Sequence, residues 1–574
     1  MLALKRVERP RELKWFQAGA MLYGDWGTSK AYVLGIAFAL VGHASWLFLG
    51  LMSALTALIG ICYIIICRIY PDGGGVYSSV KTRSQSLAVI GALLLIADYV
   101  ITASLSAVDA FHYFNFSHPQ IWAIFSIFLI GAINWIGPAN AGSIAVVIGV
   151  IASVSAGILF LSTLPALPHV SLTLPHGTWH SNWSNFVGIV LALSGVEAIA
   201  NMTGIMVQPV EKTSKKAIWP VMIEVCVLTF LLGIAMNAIP GLQGHTEDML
   251  RALADHYIGP WYGQFISIIF GFLLLSAVNT AMGDLVSIQF LMAKDREIPA
   301  TFASLNRFGM PWLALLVATI VPILVLIAEH DVLQLAALYA IGVVGAITLN
   351  IGACATNFDI TLKKHERVLL IFSAIILLLI ELTIAVQKHH ALIFALTVLT
   401  TGLILRAIAK RIVPVPIPEE LLAVNVLTVS EAKEIAPLYK SSSLVALKTL
   451  NLHLLGEAAL RTKARGENSI YLAYVEESPP SHDLPTEIEP SPQSLELLGQ
   501  AQKHMEEKGI TAIPIWRLGK DPGKLIADAA RELEVSTVLI GTTKRSALIN
   551  LLRGDVLRTL NRHLPKDCHL VISS

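Results

Sequence analysis

At 574 residues, with 55% hydrophobic, 14% charged and a mean hydropathy of +0.67, the chain carries more apolar surface than a soluble protein of this length needs. That balance excludes an ordinary soluble protein and points to a polytopic α-helical membrane protein. The net charge of +1 gives no sign of a nucleic-acid partner. The scattered Cys62, Cys67, Cys226, Cys354 and Cys568 form neither a zinc spacing nor a disulfide framework, and no nucleophile constellation marks an enzyme.

The first residues are charged (Lys5, Arg6, Glu8, Arg9, Arg11, Glu12, Lys14), with no short apolar region followed by a small-residue cleavage site, so the first span is expected to be retained. Apolar runs long enough to cross a bilayer, about 20 residues each, give twelve candidate helices between Phe16 and Ala409. Their centres lie near Asp25, Leu55, Thr102, Ile127, Ile151, Glu197, Phe230, Leu275, Ala318, Ala346, Ile375 and Val398. Alternate connections carry Arg68, Lys81 and Arg83, then Lys212, Lys215 and Lys216, then Lys294, Arg296 and Arg307, then Lys363, Lys364 and Arg367. The opposite connections, around His118, His180, His245 and His389, are poor in Lys and Arg. This bias puts both termini in the cytoplasm, and the expected location is the plasma (inner) membrane.

Three spans hold acids where lipid forbids them. The first contains Tyr23-Gly24-Asp25-Trp26-Gly27-Thr28-Ser29, whose glycines predict an unwound helix, with Asp25, Ser29 and Tyr32 on one face. The third carries Asp98, Thr102 and Ser106 at helical spacing. The sixth contains Ser194-Gly195-Val196-Glu197, where a five-helix repeat would place the counterpart of the first span. Broken helices at corresponding positions of two inverted halves are how many secondary transporters build a midplane site. Tyr339, beside Gly342 and Gly345 in the tenth span, could offer a hydroxyl to the same cavity.

A buried Asp costs on the order of 3 kcal/mol to insert, against about 1 kcal/mol for an interhelical hydrogen bond. Asp25, Asp98 and Glu197 therefore read as functional, whereas a serine, threonine or tyrosine taken alone reads as packing. Glu224, Glu381, Asp109 and Asp284 lack such a setting or fall near span ends and read as structural or interfacial. Lys30 is an internal cation that could neutralise one acid or snorkel to the interface.

After Arg411 a proline-interrupted stretch opens a linker over residues 412–440, dividing a transmembrane domain, 1–411, from a cytoplasmic domain, 441–574. In the latter, strand-like runs at Ile470–Val475, Ile510–Trp516, Thr537–Ile540 and His569–Ile572 alternate with amphipathic helices at Ser494–Lys508, Gly523–Leu533 and Ala547–Arg562. That alternation predicts a parallel α/β sheet. The Pro- and Ser-rich stretch 478–494 reads as a loop.

Tyr23-Gly-Asp-Trp-Gly-Thr-Ser-Lys-Ala-Tyr32 and Asp98-Tyr-Val-Ile-Thr-Ala-Ser-Leu-Ser-Ala-Val-Asp109, with Gly195-Val-Glu197 and Ala300–Trp312, resemble the amino acid/polyamine/organocation superfamily. Within it they look most like the KimA-type potassium uptake permeases. The resemblance implies an inverted five-helix repeat, a central potassium site coupled to proton movement, and a homodimer through the cytoplasmic domains. Carried over by motif, Asp25, Tyr32, Asp98, Ser106, Ser194, Glu197 and Tyr339 would line the ion site. Lys30 and Ala103 stand where the family commonly has proline.

Val538-Leu-Ile-Gly541-Thr-Thr-Lys544-Arg545 through Gly554-Asp-Val556 resembles a universal stress protein domain. The resemblance implies a nucleotide site at Gly541, Lys544, Arg545 and Gly554, for cyclic di-AMP or an adenine nucleotide. Lys544 replaces the second glycine of the phosphate loop and Asp555 its hydroxyl residue, which argues against classical ATP binding.

A fixed carboxylate at Asp25 would repel a substrate carboxylate and attract a cation. The expected function is thus K+/H+ symport by alternating access, with K+ at Asp25 and Asp98 and the proton on Glu197, whose pKa clustered acids and burial would raise. A proton-coupled amino acid or polyamine permease, or a transporter-like sensor, remain the alternatives.

Overall fold

The computed structural model describes residues 7–8, 11–137, 141–170, 172–306, 308–412, 426–435, 441–477, 487–519, 521–542 and 555–573. A short strand β1 (Val7–Glu8) precedes the helices of the membrane portion. The first two spans comprise α1 (Trp15–Trp26), α2 (Ser29–Val41) and α3 (Ser45–Ile69). After a short α4 (Val76–Lys81) come α5 (Gln85–Tyr113), α6 (Pro119–Ile136) and α7 (Ala141–Thr163). The sixth span is divided into α8 (Trp179–Gly188), a 3-10 turn (Val190–Leu193) and α9 (Ala198–Asn201). Then follow α10 (Val210–Ala235), a peripheral α11 (Met249–Tyr257) and α12 (Pro260–Lys294). The last four are α13 (Trp312–Ala328), α14 (Val332–Thr356), α15 (Lys364–Gln387) and α16 (His389–Arg411).

Among the described residues nine helical segments are long and apolar enough to cross a membrane, and the bent pair around Ile189 makes a tenth. One of the nine, Trp15–Ile69, has 55 residues, more than two crossings need, and it turns at Gly42, whose φ is +58°. With the shorter apolar helix α13, each of the twelve expected centres falls on one of these elements. The centre of the bundle is α5, against which α12 and α14 pack, while α3 packs on α10. Helix α15 exposes Val368, Phe372, Ile375, Leu379 and Leu382, an apolar face suited to lipid.

The C-terminal sheet is parallel, with strand order β5-β3-β2-β6-β7, from β2 (Ser443–Leu447), β3 (Ser469–Glu477), β5 (Thr511–Gly519), β6 (Thr537–Gly541) and β7 (His569–Ser573). Helices cover both faces. Val445, Leu472 and Leu539 enter one apolar core, and Leu444, Tyr471 and Val538 enter the other, which is why these strands read as near-continuous apolar runs. Shortly after the leading strand β2, Asn451 caps the helix Leu452–Ala464, accepting from the amides of His453 and Leu454.

Two expectations change here. Residues 426–435, assigned to the linker, belong to this domain: Leu427 exchanges backbone hydrogen bonds with Pro514 and Trp516, and Val426, Val429 and Ala432 are buried in its cores. Part of the stretch expected as a loop forms β4 (Glu487–Ile488), which pairs antiparallel with β1, Val7 opposite Ile488.

Candidate functional site

The first span is interrupted less than its glycines suggested. Only Gly27 and Thr28 separate α1 from α2, and both keep right-handed helical dihedrals. The carbonyls at this junction find local partners. Thr28 Oγ1 donates to the Asp25 carbonyl, and Ser29 Oγ to that of Trp26 at 2.7 Å, the usual way short hydroxyl side chains satisfy a helix end. Ser29 is thus committed to backbone.

The sixth span is the one that opens. Ser194 is extended, Gly195 takes φ +87°, and helix resumes only at Ala198. A side chain at Gly195 would place its Cβ 2.6 Å from the Trp26 amide nitrogen and 2.9 Å from the Asp25 carbonyl carbon. The left-handed conformation and the direct crossing of two main chains both require glycine. This crossing puts Glu197 and Ser194 beside Asp25.

Helix α5 supplies Asp98 to the same region. The α14 backbone reaches it at Gly342, where a Cβ would stand 2.7 Å from the Asp98 amide nitrogen. Tyr339, one turn earlier on α14, is brought with it. Asp25, Asp98, Glu197, Tyr32 and Tyr339 are all buried and lie within electrostatic reach of one another. Asp98 and Glu197 have no hydrogen-bond partner for either carboxyl oxygen among the described residues, nor has the Tyr339 hydroxyl. Ser106 is buried two turns beyond Asp98, ~12 Å along the helix, and so stands at a different level of α5. Thr102 Oγ1 donates to the Asp98 carbonyl at 3.0 Å, a packing role.

Lys30 neither neutralises this cluster nor snorkels. Its ammonium, wholly buried, donates to both Glu224 oxygens at 2.7 and 2.6 Å and to the Tyr23 hydroxyl at 3.1 Å. Tyr23 donates to Glu224 at 3.0 Å. The charge of Lys30 is matched on α10, where Glu224 has a structural role as its partner.

Three further buried polar residues, two at the site and one beyond it, were not assigned a role from the sequence. Asp284 on α12 is buried within electrostatic reach of Asp98 and Glu197. It was placed near a span end because α12 runs for 35 residues. Tyr99 accepts from Asn201 Nδ2 on α9 at 2.9 Å, tying the opened sixth span to α5. Asp109 is fully buried, again with no hydrogen-bond partner for either oxygen among the described residues. Its signal was its eleven-residue separation from Asp98, three helical turns along one face.

Among the described residues no three His, Cys, Asp or Glu side chains stand close enough to hold one metal ion. In the C-terminal domain, Gly541 ends β6 beside Asn451. Lys544, Arg545 and Gly554 lie outside the described residues. Asp555 accepts from the Arg558 amide at 3.2 Å and caps the helix Val556–His563.

A family model for the universal stress protein family matches residues 447–571, and one for amino acid permeases matches residues 13–404. Among solved structures, a universal stress protein from Archaeoglobus fulgidus is 21% identical over 23% of this chain and 97% of its own, with a TM-score of 0.19. A manganese transporter of Eremococcus coleocola, solved with an aromatic bis-isothiourea substituted compound, is 14% identical over 71% of this chain and 97% of its own, with a TM-score of 0.46. No curated protein matches. With most of its length matched by the permease model, the chain belongs to the amino acid permease family of multi-pass membrane transporters and carries a universal stress protein domain.

Proposed function

We propose that the chain imports potassium by alternating access, coupled to protons, in the manner of the KimA-type permeases. The observation that carries this reading is the pairing of Lys30 with Glu224. With that cation committed elsewhere, none of Asp25, Asp98 and Glu197 forms an ion pair among the described residues. An uncompensated carboxylate in a dry interior costs roughly several kcal/mol, so the cluster demands protons or a transported cation. Potassium would take one carboxylate at a time, completed by hydroxyl and carbonyl oxygens from Tyr32, Tyr339, Ser194 and the opened backbone of the sixth span, the ligand chemistry this ion prefers. Glu197 is assigned the coupled proton.

The second reading is a proton-coupled amino acid or polyamine permease, favoured by the family to which the chain belongs. Rubidium uptake into proteoliposomes, with and without a pH gradient, separates the two. Uptake stimulated by an inward proton gradient and lost in Asp25→Asn supports the proposal; uptake competed by an amino acid supports the second reading. No flux under any gradient would favour a sensor. The same reading includes plasma-membrane insertion with cytoplasmic termini, dimerisation through the C-terminal domains, and control there by cyclic di-AMP or an adenine nucleotide.

A further inference from the structure

Asp109 lies eleven residues beyond Asp98 on α5, ~16 Å towards the face opposite Lys81, Arg83 and Lys294. One turn further, the Tyr113 hydroxyl donates to the Ala31 carbonyl of α2 at 2.8 Å, which fixes this end of α5 against the helix that carries Tyr32. One turn beyond Tyr32 is Gly35, where a Cβ would stand 1.9 Å from the Thr246 carbonyl oxygen. The segment bearing Glu247 and Asp248 therefore rests directly on α2, one turn from the Tyr32 ring.

Each of these two acids holds a histidine. His112 Nδ1, one turn from Asp109 on α5, lies 2.7 Å from Glu247 Oε2, and His245 Nδ1 lies 2.8 Å from Asp248 Oδ1. All four side chains are partly exposed, whereas Asp109 is not exposed at all. Asp109 is within electrostatic reach of Glu247, Asp248, Tyr113 and Tyr32, and Tyr32 in turn of Asp25 and Asp98. Helix α11, packed on α2, α7 and α12, adds Arg251, Asp255 and His256 beside these pairs; Arg251 pairs with Asp255 at 3.8 Å, and Asp255 is within electrostatic reach of Asp248 and His245. Helices α6, α7 and α13 carry no charged residue, and α12 carries only Asp284 and Lys294, both beyond its midpoint towards the basic face. An ionisable side chain buried without a hydrogen bond, between water-exposed His–carboxylate pairs and the central hydroxyls, has the placement of a relay and not of a structural contact.

We propose that Asp109 is a proton-relay residue connecting the lysine-poor face to the central site, loaded through the His112–Glu247 and His245–Asp248 pairs. A proton taken from water by one of these pairs passes to the Asp109 carboxylate, which becomes a neutral acid. The acid then gives its proton, through intervening water, to the Tyr32 hydroxyl oxygen as that hydroxyl gives its own proton to a central carboxylate, and Asp109 returns to its ionised form. No charge other than the proton moves along this path.

The inference rests on the proton-coupled reading above, and two measurements on the full-length protein in proteoliposomes keep the two separable. In infrared titration, the wild type should show a protonated-carboxyl band that responds to bulk pH and is missing in Asp109→Asn; a band unchanged in Asp109→Asn overturns the proposal. In rubidium-driven transport with an entrapped pH dye, Asp109→Asn should slow proton influx by about a hundredfold, the low end of what a positioned acid–base group contributes. Asp109→Glu should restore much of it, and His112→Gln should shift its pH profile. Proton influx in Asp109→Asn at the wild-type rate overturns the relay. Rubidium flux without proton movement in the wild type overturns the coupled reading instead, leaving the infrared result to decide whether Asp109 exchanges protons with water.

Discussion

Replacing Glu224 by Gln would leave Lys30 as an ammonium in the membrane interior with no counter-charge. All three Lys30 donors are used, at 2.6 and 2.7 Å to the carboxylate and 3.1 Å to Tyr23, and the cation also lies 4.8 Å from the centre of the Tyr23 ring. Removing one partner of a buried pair costs about 3–5 kcal/mol. Because the Glu224 side chain is 17% exposed and water can approach from that side, the lower figure, about 3 kcal/mol, is expected. The double replacement Lys30→Met with Glu224→Leu removes both charges and should return to within about 1 kcal/mol of the wild type, as apolar replacements of buried pairs do. Thermal unfolding of the detergent-solubilised protein, monitored by fluorescence-detected size exclusion, gives the four corners of the cycle. A Glu224→Gln variant as stable as the wild type, or strictly additive effects of the two sites, would refute the pairing. So would a folded Lys30→Met variant that had lost rubidium uptake, since Lys30 would then serve the acid cluster.

Other substitutions read other parts of the same geometry. Gly195→Ala forces a side chain into a left-handed conformation, about 1–2 kcal/mol, and against the Trp26 amide at 2.6 Å, a further ~1–3 kcal/mol of overpacking. It should lower thermal stability and uptake together, and an uptake rate equal to wild type would contradict the crossing. Gly342→Ala should push α14 away from Asp98 and lower uptake more than Gly352→Ala, a position where a Cβ meets nothing within 4 Å; equal effects would dissociate α14 from the site. Asp555→Ala should cost about 1 kcal/mol as a lost helix cap, read as faster hydrogen exchange over Val556–His563. Unchanged exchange there would remove its structural role.

How much of the site could be read from the chain depended on the distance over which each choice was made. The acids at Asp25, Asp98 and Glu197 were legible because hydrocarbon tolerates no unexplained carboxylate, and the glycine at 195 because a broken span needs one. Asp284 was placed near a span end because a fixed span length was applied to a helix of 35 residues; Asp109 does lie in the last turns of the 29-residue α5, and what the chain did not show is that it is fully buried there. The sheet strands were legible as apolar runs. The two-residue pairing of β1 with β4 was not, since Val7 and Ile488 lie nearly a whole chain apart and neither segment carries a strand pattern of its own.

The sequence alone determined that the chain is a polytopic helical membrane protein with an α/β domain attached, because apolar run length and alternation are local properties enforced by bilayer thickness and strand burial. It also determined that at least three acids lie at bilayer depth. Which charges cancel was decided only by the tertiary structure. Lys30 follows Asp25 by five residues, yet its side chain leaves α2 towards α10 and meets Glu224, 194 residues away. Helix facing, and not sequence proximity, sets which groups share a low-dielectric space, and that facing leaves Asp25, Asp98 and Glu197 without an ion-pair partner among the described residues.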